Sequence, residues 1–215
     1  MKRSTFTDQS VTYGAIGGAM APDLMSYPPK GYRPAEHTTR LGSGAERYAT
    51  ASASLMTWGI QRGSGMEVTE THPGTGRQYV GLAFGVDGTP LGQQPAQQPE
   101  ERFGPDGTPY ITSGMTAVLR IRLWFVPISA PARVVYVIDE PSRTGFAYGT
   151  MKGHPISGEE LFLVEHREDD SVWLTIRSLS RGSTPLYRFA WPIVRWQQGV
   201  YVKRYLRALH PAASA

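Results

Sequence analysis

Cysteine is absent from the 215 residues. That single absence excludes structural disulfides, thiolate nucleophiles and cysteine-ligated metal centres. Long apolar runs are also missing. The opening MKRSTFTDQS carries basic residues with no hydrophobic stretch behind it, so the sequence predicts neither a secretory leader nor a transmembrane helix. A soluble, cytoplasmic protein is the expectation. Acidic residues stop at Asp170, while Arg177, Arg181, Arg188, Arg195, Lys203, Arg204 and Arg207 follow it. Such a basic tail either solvates a surface helix or attracts an acidic partner or membrane. No GxSxG elbow is present, and no GxGxxG precedes a helix. Basic and aromatic residues mix near the end, but without a recognisable nucleic-acid motif, so nothing supports that partner.

What is present is a globular composition rich in turn formers, with 24 glycines and 17 prolines. The length suits one well-filled domain over 1–215. Residues 11–18 (VTYGAIGG) lean towards a strand, and the prolines within 19–42 argue against regular structure there. Ser43 and Glu46 have capping-box spacing, and apolar residues recur at helical spacing behind them, which predicts a helix over about 44–58. Short strand-like pieces follow at Met66–Thr71 and Gln78–Phe84. Residues 87–114 hold five prolines and DGTP twice, and are expected to form a flexible insertion. The β signal is then continuous: Leu119–Val126, Arg133–Asp139, Thr144–Thr150, Leu161–Glu165 and Val172–Leu179, an antiparallel meander. From Pro192 a helix apolar on two sides runs to about Leu209. The order implies an α+β fold, a curved antiparallel sheet of about seven strands wrapped around a long C-terminal helix. That is the helix-grip plan of START-like and Bet v 1-like proteins.

The second half carries a longer signature. RVVYVIDEPSRTGFAYGTMKGHPISGEELFLVE, then DDSVWLTIRSLSR and PIVRWQQGVYVKRYLRAL, resemble the family called domain of unknown function 1990. YGAIGG, GYRP and LGSG match it earlier in the chain. The resemblance implies a shape and a motif, GFAYGT-x-x-GHP-x-x-GEE, but no established reaction.

His154, Glu159 and Glu160 lie within seven positions, a spacing compatible with general acid–base work. The alternative is structural, with His154-Pro155 and Gly158 shaping a turn. A single histidine beside carboxylates on a turn does not suit a zinc site, and neither a metal nor another cofactor is expected. Strand alternation places Glu159 and Glu160 on opposite faces, without deciding which points inward. Arg177 either holds an anionic head group or pairs with Glu160 or Glu165. Tyr136, Tyr148 and Trp173 either line a ligand cavity or fill the core. The leading expectation is a protein that binds a small hydrophobic ligand through Tyr136, Tyr148, His154, Glu160, Trp173 and Arg177. The competing readings are an enzyme of cyclase, dehydratase or hydrolase type using the same cavity, and a module docking an acidic partner. The oligomeric state cannot be read from the sequence.

Overall fold

The computed structural model describes residues 10–74, 102–123, 126–184 and 191–211. The strand expected at Gln78–Phe84 lies outside the described residues, as does most of the expected insertion. The described part of that stretch includes Ile111, which is 2% exposed within the core and whose amide donates to the Met56 carbonyl.

Seven strands form one antiparallel sheet: β1 (Arg33–Ser43), β2 (Glu67–His72), β3 (Thr116–Leu123), β4 (Val126–Glu140), β5 (Arg143–Thr150), β6 (Ile156–His166) and β7 (Ser171–Gly182). Their order across the sheet is β1-β7-β6-β5-β4-β3-β2. Strands β2 to β7 are therefore a simple meander, while β1 pairs with the last strand at the far edge. The chain must cross the whole sheet between β1 and β2. It does so through helices α1 (Ala45–Met56) and α2 (Gly59–Gly63). The long helix α3 (Trp191–Ala208) follows β7 and packs against α2, β1 and β7. All three helices share one face of the sheet, burying Leu55, Trp58, Ile60, Tyr201, Tyr205 and Leu209 against Leu119, Phe146, Phe162, Leu174 and Ile176. This is the α+β helix-grip architecture: a curved sheet holding a C-terminal helix.

The structure corrects three local expectations. Residues 11–18 are not a strand. Val11 makes a single bridge to Met151, Gly17 turns the chain at φ 83°, and a 3₁₀ turn follows at Gly18–Met20. The first strand lies later, at Arg33–Ser43, inside the stretch where prolines argued against it. Only Leu41 of β1 is buried, so this edge strand has no apolar alternation to read, and Pro34 is tolerated because an edge leaves one side of the ladder open. Finally, the capping box does not form. Gly44 is the N-cap of α1, no side chain caps the helix, and Ser43 pairs with Ser171 as the last residue of β1. The strand thus runs directly into the helix and leaves the serine no room to act as a cap.

The outer face of the sheet is also covered. The segment 11–32 lies across it, packing Tyr13, Ala19 and Leu24 against Val135, Ala147, Leu161, Leu163 and Leu179. Strand β6 is consequently apolar and buried on both faces, and its two glutamates enter two different interiors.

Candidate functional site

Glu159 points outward, into the layer made by the N-terminal segment. Its Oε2 accepts hydrogen bonds from the Tyr13 hydroxyl at 2.6 Å and the Gly17 amide at 2.8 Å. Its Oε1 accepts from the Ala19 amide at 2.9 Å and the Tyr136 hydroxyl at 3.3 Å. Four donors thus serve one carboxylate that is 3% exposed. Burial still raises its pKa, against the opposing pull of those donors. The same burial, with Glu159 alongside, pushes the Tyr13 and Tyr136 hydroxyls well up. Arg177 reinforces the layer from β7: its guanidinium donates to the Met20 and Ala21 carbonyls at 3.3 and 2.7 Å and pairs with Glu36 on β1 at 2.9 Å. Its carboxylate partner is therefore neither Glu160 nor Glu165. Trp173, four residues back, shares this outer face; Arg167 lies 4.5 Å over its ring, and its indole N–H donates to the Ser171 hydroxyl.

Glu160 points the other way. It belongs to a transverse row on the helix-covered face, set by strand register: Tyr148 on β5, Glu160 on β6 and Ser178 on β7. The next row is Phe146, Phe162 and Ile176, and the one beyond is Thr144, Val164 and Leu174. The polar row thus lies towards one end of a mainly apolar face. The Tyr148 hydroxyl donates to Glu160 Oε2 at 2.5 Å. The Tyr205 hydroxyl of α3 interacts with that of Tyr148 and with the Met66 sulfur at 3.5 Å. Rings surround the pair: Phe162 lies 5.8 Å from Tyr148 and 5.2 Å from Tyr205, and Phe146 lies 5.6 Å from Phe162. Beyond Ser178, Gln198 of α3 donates to the Ser180 hydroxyl at 3.3 Å. Burial pushes the Glu160 carboxyl up to about 7, only partly offset by the Tyr148 hydrogen bond. Although protein encloses them, Glu160 and Ser178 both retain accessible surface.

His154 stands apart from both glutamates. It is 8% exposed in the β5–β6 turn, and the Ile156 amide donates to its Nδ1 at 3.0 Å. Burial depresses its pKa to about 4, so the ring is neutral at pH 7. Among the described residues it makes no hydrogen bond to Glu159 or Glu160. The structure therefore brings Tyr148 and Glu160 together on the helix-covered face. It places Tyr136, Trp173 and Arg177 on the opposite side with Glu159, and sets His154 in a turn. Tyr205, Ser178 and Gln198 join the inner row without having been singled out from the sequence. For Ser178 a signal existed, since it lies two residues beyond the inward-facing Ile176. Among the described residues, no group of three His, Asp or Glu side chains is placed to hold a metal ion.

The model of a family described as a domain of unknown function (DUF1990) matches residues 13–94 and 96–208. The chain belongs to this family. A UPF0548 protein of Deinococcus radiodurans is similar to this DUF1990 chain, 38% identical over 118 residues, covering 51% of the chain and 60% of the relative. A UPF0548 protein of Arabidopsis thaliana is 32% identical over 77 residues, covering 33% of the chain and 38% of the relative. The chain thus aligns with less than two thirds of either relative's length. A solved START superfamily protein from Mycobacterium smegmatis aligns with 83% of this chain and 94% of its own, at 14% identity and a TM-score of 0.45. The helix-grip assignment of this DUF1990 chain rests on its own strand order and on the helices gathered on one face. Among the described residues, no helix is long and apolar enough to cross a membrane.

Proposed function

We propose that this DUF1990 chain binds a small amphipathic molecule between the sheet and α3, with Glu160 and Tyr148 as its polar anchor. One observation carries the reading: a carboxylate that retains accessible surface is set among aromatic rings on the mainly apolar, helix-covered face. A protein that needed only a filled core would gain nothing from a charge there, because burying one costs several kcal/mol unless it is compensated. Apolar walls with a few convergent polar groups are the usual form of a small-molecule site.

Three of the five described cations of the C-terminal region, Lys203 and Arg207 being the other two, are engaged within the chain, which leaves less of the basic surface for an acidic partner. Arg177 is tied to Glu36 and to backbone carbonyls, Arg181 lies over the Tyr32 ring, and Arg204 lies over the Tyr201 ring and donates to the Ser64 carbonyl. A second reading draws support from Glu160 itself. A carboxyl pushed to about 7 is matched to proton transfer at neutral pH, so the same pocket suits acid–base catalysis on the bound molecule.

Native mass spectrometry of the purified chain, followed by solvent extraction, tests the proposal. The expected result is a bound small molecule released on denaturation and lost in a variant that fills the pocket, Ser178→Trp. A parent chain that carries nothing and takes up nothing from a set of amphipathic compounds would overturn it. Release of a chemically altered compound would select the enzymatic reading.

A further inference from the structure

The two glutamates of β6 are adjacent in sequence and buried in different interiors, so each serves as a control for the other. Glu159 is fully supplied by its own protein, with four donors on its two oxygens. Glu160 is not. Its Oε2 takes the Tyr148 hydroxyl, and its Oε1 has no hydrogen-bond partner among the described residues. No Lys, Arg or His among the described residues pairs with it. The groups facing it are hydroxyl and aromatic: Tyr148 from β5, Ser178 from β7 and, through Tyr148, Tyr205 from α3. The other buried titratable group near this end, His154, is neutral and engaged with Ile156. The described residues bring no positive charge to the site, but they surround it with aromatic rings, whose faces attract cations.

From this arrangement, and resting on the ligand-binding reading above, we infer that the molecule held at Glu160 carries a positively charged nitrogen on an apolar body, as an alkyl amine or quaternary ammonium compound does. The nitrogen supplies a charge that none of the described residues brings to Oε1. The rings of Phe146, Tyr148, Phe162 and Tyr205 receive its carbon substituents. A hydroxyl or carbonyl ligand would need only a neutral amide or serine at this position. A fatty acid or phosphate would meet a like charge that no described cation offsets, and such a site selects against anions.

Isothermal titration of the full chain with octylamine, octyltrimethylammonium, 1-octanol and octanoate, below micellar concentrations and at pH 6 and pH 8, tests the inference. The two cations are expected to bind at least tenfold more tightly than octanol at pH 8, and octanoate more weakly still. Because the carboxyl titrates near 7 while an alkyl ammonium stays charged, its ionised fraction rises from about a tenth to about nine-tenths between the two pH values. Cation binding to the parent should therefore tighten about tenfold from pH 6 to pH 8, a readout that needs no variant. Glu160→Gln should abolish that pH dependence and the preference for the cations over octanol. If octanol or octanoate binds as tightly as octylamine, or if the amine shows no pH dependence, the cationic head group is wrong although the pocket stands. If none of the four binds, the ligand-binding reading fails and the inference fails with it.

Discussion

Replacing Glu160 by glutamine should make the protein more stable, and increasingly so as the pH rises from 4.5 to about 7. The carboxyl is raised from 4.5 to about 7 by burial. Below 4.5 it is protonated in the folded and unfolded chains alike and costs little. Between those two values the unfolded chain loses its proton while the folded chain keeps it, so stability falls as pH rises through the window. At about 1.4 kcal/mol per pH unit, the accumulated penalty is about 1 kcal/mol at pH 5 and about 3 kcal/mol at pH 8. Glutamine still accepts the Tyr148 hydroxyl proton through its carbonyl and carries no charge, so it removes the penalty and keeps the hydrogen bond. Glu159, whose pKa is also raised, is common to both proteins and cancels in the comparison. Urea denaturation of parent and variant at pH 5 and pH 8 measures the effect. With a slope of about 2 kcal/mol per molar, the variant's midpoint should gain about 1 M over the parent's between the two pH values. A gap that is equal at both, or a variant less stable than the parent at pH 8, would show that Glu160 is not a desolvated carboxyl and would remove the basis of the proposed site.

Glu159→Gln should act in the opposite direction. The amide nitrogen turns a donor towards groups that already donate, so the substitution is expected to cost about 3 kcal/mol and to expose residues 12–24 to protease before the sheet unfolds; parallel proteolysis and denaturation curves that match the parent's would refute the four-donor cradle. Ser43→Ala should change stability by less than about 0.5 kcal/mol, because the serine ends a strand and caps nothing; a loss of about 1 kcal/mol in the denaturation midpoint would restore the cap predicted from its spacing.

The parts of the fold that announced themselves were those with a period. The meander from β3 to β7 shows as successive strand-like runs separated by turns, and α3 is apolar on two sides, so both were legible, as was the divergence of Glu159 and Glu160. Strand β1 was not, because an edge strand with one buried residue has no pattern to show. Nor was the assignment of faces. Leu161 and Leu163 are as apolar as Phe162 and Val164, since the segment 11–32 covers the side that is usually left to water. A tyrosine and an arginine on that outer layer, Tyr136 and Arg177, look from their spacing like any pair facing a cavity. Only the path of the N-terminal segment, built on turns at Gly17 and the 3₁₀ stretch after it, tells them apart from Tyr148.

Covering both faces of β6 has a consequence for how the chain finds its pairing. Ordinarily a strand that slips by one residue turns its greasy side to solvent and is rejected for that reason. Here a slip would merely exchange one dry interior for another, and hydrophobicity alone discriminates poorly. The Gly158-Glu159-Glu160 run restores the discrimination in both directions. A slip that brings Glu160 into the cradle of Tyr13, Gly17, Ala19 and Tyr136 puts Glu159 at the site of Gly158, where a Cβ would stand 1.9 Å from the Leu179 carbonyl oxygen. A slip the other way puts a glycine in the cradle and strands four donors without an acceptor. Three consecutive residues thus act as a key with a single orientation, proofreading the alignment of the central strand as the sheet assembles.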